Sequence, residues 1–214
     1  MTEYLTPAAY GTDELTEKRS RFIGQVWPVE TEEDARARIE ETKKRYYDAR
    51  HNCWCYVLRS GAARYSDDGE PQGTAGKPML NVFQSAGITD VCCVVTRYFG
   101  GVLLGAGGLV RAYSAAARDA LAAAGVNRMA EWQSVLVPCP YPLYERMKRL
   151  LDEYETVVED TDFGADVLLT ALVRADRAAA FHQALSELTA GAVAAEALGT
   201  SFRGVALVGS GSGK

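Results

Sequence analysis

The run Thr96-Arg97-Tyr98-Phe99-Gly100-Gly101-Val102-Leu103-Leu104-Gly105-Ala106-Gly107-Gly108-Leu109-Val110-Arg111-Ala112-Tyr113 sets five glycines within nine residues, between a predicted strand and a predicted helix. Glycine lets a ligand approach the main chain closely, and the bare amides at a helix N-terminus favour an anion. Gly100, Gly101, Gly105, Gly107 and Gly108, flanked by Arg97, Tyr98 and Arg111, are therefore candidate anion- or nucleic-acid-binding positions. Two known phosphate patterns fail. Gly100 and Gly105 have Walker spacing, but Ala106-Gly107 stands where Lys-Ser/Thr would follow. The dinucleotide pattern begins at Gly105 and Gly107 but meets Val110 at its third position. Arg111 falls in the first turn of the predicted helix, where a cation opposes the dipole. The other long predicted helices begin with acids: Glu32 and Glu33, Glu145, and Asp176. Arg111 either faces a bound anion together with the amides or pairs with a loop carboxylate such as Asp67, Asp68 or Glu70.

Those three carboxylates form the second candidate, in Tyr65-Ser66-Asp67-Asp68-Gly69-Glu70-Pro71-Gln72-Gly73-Thr74-Ala75-Gly76-Lys77-Pro78. They could hold a divalent cation or move a proton. The competing reading is turn chemistry, because Asp-Gly and Gly/Pro clusters mark turns. An EF-hand is excluded, since its alternating acidic pattern is absent. Lys77, at the end of this segment, is a candidate phosphate contact. His51, in Asp48-Ala49-Arg50-His51-Asn52, is a candidate general base or simply the residue that begins a strand. No serine or cysteine is tied to it by spacing, so no catalytic residue is assigned.

The elements that must position these residues follow from pattern. Residues 1–18 are polar and read as an irregular arm. Phe22 to Val29 reads as a strand. Thr31 and Asp34 form a capping box, with Glu32 and Glu33 in the first turn and Lys43, Lys44 and Arg45 in the last, matching the dipole. Cys53 to Leu58 and Val91 to Val95 are continuously apolar, as in strands buried on both faces. Residues 59–78 read as a loop and Met79 to Ser85 as a short helix. A glycine-rich loop from Gly100 to Gly108 then leads to a helix from about Leu109 to Ala124, closed by Gly125. The second half reads strand Gln133–Val137, helix Pro142–Glu153, strands Thr156–Glu159 and Val167–Val173, helix Arg177–Leu188 and a final strand. That order is βαββαβ. The fold class is α+β, in two domains, 1–128 and 131–205, followed by a Gly/Ser tail at 206–214.

Composition narrows the function. The net charge is −5, and residues from Glu131 onward carry twelve acids against seven bases, so the first 130 residues balance. A nonspecific nucleic-acid binder is usually basic throughout, so DNA is not an expected partner and any RNA contact must come from a local patch. No apolar run spans a bilayer, and Met1-Thr2-Glu3-Tyr4 does not begin a signal peptide. The expectation is cytoplasmic, with no membrane contact. Five cysteines, none in a C-x-x-C pair, with two histidines on different elements, read as buried thiols and not as a metal site. No metal and no cofactor is expected.

Four motifs in order, namely Lys18-Arg19-Ser20-Arg21-Phe22-Ile23, Asp48-Ala49-Arg50-His51-Asn52-Cys53, Ser66-Asp67-Asp68-Gly69-Glu70-Pro71 with Gly73 to Leu80, and Thr96 to Gly101 through Tyr113, closely resemble the IMPACT/YigZ family. The match covers roughly residues 18–125. Residues 131–203 resemble the second domain of bacterial YigZ-type members. The resemblance implies a ribosomal-protein-S5-domain-2-like first domain and a ferredoxin-like second domain similar to the last domain of the ribosomal translocase. It therefore suggests RNA or the ribosome as partner. Eukaryotic members are linked to translational control through an accessory domain for which this chain has no room. Three functions stay open: an RNA- or ribosome-binding regulator using Arg97, Tyr98, Lys77 and Arg111; an enzyme or binder for a phosphorylated small molecule, with Gly105 to Gly108 on the phosphate; and a protein-interaction module in which the glycines serve packing alone.

Overall fold

The computed structural model describes residues 3–207. The chain divides into two compact units, Tyr4–Arg128 with 206–207, and Met129–Val205 with Glu3.

In the first unit a five-stranded antiparallel sheet has the order β2-β3-β6-β4-β5. Its strands are β2 (Gly11–Glu17), β3 (Ser20–Pro28), β4 (His51–Val57), β5 (Ala63–Ser66) and β6 (Val91–Tyr98). Helix α1 (Glu32–Arg45) covers one face, where Ala35 and Ile39 meet Val29, Tyr56, Cys92 and Val94. Helices α2 (Gly76–Ser85) and α3 (Ala106–Ala124) cover the other, over Phe22, Val26, Cys53, Cys55, Cys93 and Val95. The cysteines follow strand periodicity: Cys53 and Cys55 share one face, while adjacent Cys92 and Cys93 split between the two. All five are free and buried. Both sides of the capping box on α1 form, with Thr31 Oγ1 accepting from Asp34 N at 3.1 Å and the Asp34 carboxylate accepting from Thr31 N.

The predicted arm is where the structure differs most. Residues 4–17 form two strands, β1 (Tyr4–Pro7) and β2. β2 is an edge strand whose outer residues are polar, so it carries little apolar signal. It joins β3 through a two-residue turn with Lys18 at φ 46° and Arg19 at φ 66°. Both residues take the positive φ of a type I′ turn, which ordinarily calls for Asn-Gly. Lys-Arg gives no turn signal, so the hairpin is hidden in the sequence. Within the predicted 59–78 loop lie β5 and the start of α2. Helix α3 begins at Ala106, three residues earlier than predicted, and draws Gly107 and Gly108 into its first turn.

The second unit contains β7 (Val126–Cys139, which begins in the first), a 3₁₀ turn at Tyr141–Leu143, α4 (Tyr144–Glu153), β8 (Val157–Phe163), β9 (Val167–Arg174), α5 (Ala178–Leu188) and β10 (Glu196–Ala206). The order is βαββαβ, and the strands lie β10-β7-β9-β8. Met147, Leu150, Leu151, Phe181 and Leu185 cover a face of Val135, Val137, Leu169, Ala171 and Val173. β7 is much longer than the predicted Gln133–Val137. The expected boundary between domains 1–128 and 131–205 falls inside this strand. Of the predicted 206–214 tail, Ala206 is strand and Leu207 N donates to Val126 O at 2.8 Å, while 208–214 lie outside the described residues. Among the described residues no helix is long and apolar enough to cross a membrane.

Candidate functional site

The end of the first sheet brings three sequence motifs together. β3 and β6 pair Arg21 with Tyr98 and Phe22 with Arg97, and β4 sets His51 opposite Arg97. Arg97 does not face solvent. Its side chain is 6% exposed, and Nη1 donates to Glu70 Oε1 at 2.7 Å. Nη2 donates to Ser20 Oγ at 3.2 Å. The guanidinium stands 5.4 Å from the Phe22 ring centroid and 5.5 Å from that of Phe99, a cation held between aromatic rings. Nε is buried without a partner. Glu70 Oε1 also accepts from Tyr113 Oη at 2.8 Å, and Cys53 Sγ lies 3.4 Å from the same hydroxyl. Burial drives the Tyr113 hydroxyl and the Cys53 thiol far above their ordinary ranges, so both remain protonated and Cys53 is no nucleophile. The reading of Arg97 as a phosphate contact is thus corrected. Its charge is neutralised inside the fold, where it joins β6 to the acidic loop and the hairpin turn.

The acidic loop is corrected in the same way. Its three carboxylates diverge. Glu70 turns inward to Arg97. Asp67 accepts from Gly73 N at 2.8 Å, Ala75 N at 3.1 Å and Gly76 N at 2.9 Å, and so closes the N-terminus of α2 from a distance in sequence. Asp68, at φ 41°, accepts from Asn52 N at 2.7 Å and pairs with Lys43 Nζ at 3.6 Å. No three metal-ligating groups converge among the described residues. The turn reading therefore describes this loop. Replacing Asp67 with alanine leaves three amides without an acceptor. A loss of about 2–3 kcal/mol is expected in urea unfolding, with faster hydrogen exchange confined to Gly73–Gly76; unchanged exchange there would refute the capping role.

His51 Nδ1 lies 2.8 Å from Asp68 O, and because a carbonyl oxygen only accepts, Nδ1–H is the donor. Tyr98 Oη donates to Asp48 Oδ1 at 2.8 Å, and the Arg21 guanidinium stands 5.8 Å from the Tyr98 ring.

The remaining predicted residues separate. Gly100 packs against the Arg19 backbone, where any Cβ would overlap it, and Gly100 N donates to Ser20 Oγ at 3.2 Å. Gly101 at φ 83° and Gly105 at φ 75° need glycine's conformational freedom. Gly108 is held close to Leu104. Gly107 has only the Arg111 side chain nearby. Arg111 is exposed and pairs with none of Asp67, Asp68 or Glu70, so its pairing alternative fails. The contrast that singled it out also weakens, because α2 and α5 likewise have no acid in their first turns and Asp176 bonds Arg174. Lys77 is exposed on α2, its ammonium 5.9 Å from the Tyr65 ring. Lys77 and Arg111 have no bond to the Arg97 network.

Sequence reasoning left out Ser20, which ties Arg97 to Gly100, and the buried pair in which Thr96 Oγ1 donates to Asn52 Oδ1 at 2.7 Å. It also left out Lys18, Arg19 and Arg50, which are exposed at this sheet end with no carboxylate partner among the described residues. The only signal for them was the cluster of bases beside residues that proved to be buried.

Residues 18–121 match the Impact N-terminal domain, and residues 137–192 match a domain of unknown function, DUF1949. The chain is 35% identical over 190 residues to the IMPACT family member YvyE of Bacillus subtilis, covering 88% of each chain. It is 35% identical over 197 residues to the IMPACT family member YigZ of Escherichia coli, covering 90% of this chain and 97% of that one. A crystal structure described as that of a hypothetical protein superposes with a TM-score of 0.58 at 34% identity, over 93% of this chain and 98% of the other. The similarity thus runs through both matched domains and along most of these bacterial relatives, and the chain belongs to the IMPACT family.

Proposed function

We propose that this protein binds RNA of the translation machinery through the end of the first sheet, where the β2–β3 turn, the start of β4 and the end of β6 meet. The carrying observation is the set of exposed bases there, Lys18, Arg19 and Arg50, none with a carboxylate partner among the described residues. Tyr98 lies beside them, and Tyr47, 84% exposed, follows the C-cap of α1. The cap residue Tyr46 is tied to β4 by Asn52 Nδ2 donating to its carbonyl. Bases interleaved with aromatic rings suit a single strand, with phosphates on the cations and bases stacked on the rings. Of the acids at this end, Glu14 holds Arg21 and Asp48 accepts from Tyr98, while Glu17 is exposed beside Lys18. The Arg97–Glu70–Tyr113 network acts behind this surface as its rigid support. The S5-domain-2-like reading of the first unit, the ferredoxin-like reading of the second, which its β10-β7-β9-β8 order supports, and the family resemblance point to the same partner.

The test is single-stranded RNA binding across a salt series. The double variant Lys18→Asn/Arg19→Gly removes two charges while keeping a type I′ turn. The wild type is expected to bind more weakly as salt rises, and the variant's log–log slope should be shallower by about 1.4, at about 0.7 per lost phosphate contact. An unchanged slope, or no binding at low salt, would remove RNA from this surface.

A further inference from the structure

A different face of the first unit carries a long groove of about 1300 Å³ between α2 and α3, which pack side by side. One wall is the stripe Val110, Ser114, Arg118 and Ala122 of α3, spaced as one helix face; the other includes Lys77, Asn81 and Ser85 of α2. The floor is apolar, with Leu5, Val82, Ile88 and Leu121. We propose that this groove is the docking site for an acidic amphipathic helix of a partner protein.

Three observations carry this. The first is size: the groove exceeds the roughly 300–1,000 Å³ of sites built for small molecules. The α3 stripe from Val110 to Ala122 runs about 18 Å, the length of about three helical turns. The second is shape. Two helices lying side by side leave a furrow into which the apolar ridge of a third fits. The third is charge. Lys77 and Arg118 line the groove, both are exposed, neither has a carboxylate partner among the described residues, and no acid lines it. A helix bearing leucine-type side chains on one face and acids along its flanks satisfies floor and rim together. A basic segment would meet like charges.

The experiment uses the full chain and labelled synthetic helices of about 12 residues, with leucines on one face and either glutamates or lysines on the flanks, read by fluorescence anisotropy. Ala122→Trp fills the groove from an exposed position, and Lys77→Glu/Arg118→Glu reverses its rim; circular dichroism checks that both variants fold. The glutamate peptide should bind and the lysine peptide should not. Ala122→Trp should weaken binding by at least about tenfold, as expected when an anchor loses its pocket. The charge-reversed variant should exchange its preference for the lysine peptide. Equal binding of both peptides, no binding of either, or no effect of Ala122→Trp would overturn the proposal. So would sedimentation that shows the chain dimerising through this face, or RNA binding that Ala122→Trp abolishes.

Discussion

Glu70→Ala is expected to destabilise the first unit by about 3–5 kcal/mol, because it leaves Arg97 charged and buried with no counter-ion. The Arg97 guanidinium has little access to water, and its other hydrogen-bond partner is the neutral Ser20 hydroxyl. Tyr113 Oη loses its acceptor in the same substitution. Urea unfolding with hydrogen exchange read at the β4 and β6 amides localises the effect. Two companion variants separate charge from shape. Glu70→Gln keeps an acceptor for Tyr113 and should cost less than alanine. Glu70→Leu/Arg97→Met removes both charges and should recover much of the loss, because a buried pair replaced together by apolar groups is often neutral. A loss below about 1 kcal/mol for Glu70→Ala, the scale of an exposed pair, would mean that the pair is solvated in solution. It would also restore Arg97 as a phosphate contact.

The second large effect is expected at Gly24. α3 lies against β2 and β3 through small residues, and a Cβ at Gly24 would overlap the Ala116 carbonyl oxygen and stand 3.1 Å from Ala120 Cβ. The obstruction is helix backbone, which cannot rotate aside as a side chain can. Gly24→Ala should therefore push α3 off the sheet and cost about 3 kcal/mol, at the upper end of overpacking losses. Gly107→Ala on the same helix is the control. Its new methyl meets only Arg111 Nη1, at 3.6 Å, and alanine gains up to about 1 kcal/mol of helix propensity. Equal Tm shifts for the two variants would mean that α3 adapts to the sheet freely, and the close approach would lose its significance.

These two positions also show where the sequence was and was not legible. Properties carried by local chemistry could be read directly. The Thr31–Asp34 capping box, the burial of Cys53, Cys55, Cys92 and Cys93, the βαββαβ order and the four motifs that place the chain in the IMPACT family all depend on neighbours within a few residues. The early strands were not legible, because β2 is a polar edge strand and its turn uses Lys18 and Arg19 where Asn-Gly would have signalled it. The roles of Arg97, Asp67 and Glu70 were beyond reach for a different reason. An arginine beside glycines and an acid in a turn look alike whether they face solvent or each other. Only the pairing of β3, β4 and β6 brings Glu70, Ser20 and Tyr113 around Arg97 and turns Lys18, Arg19 and Arg50 outward. The sequence by itself determined the family and the segments that carry its motifs. The tertiary structure decided which charges support the fold and which stay exposed, because neutralising a charge requires groups distant in sequence to come within hydrogen-bonding distance.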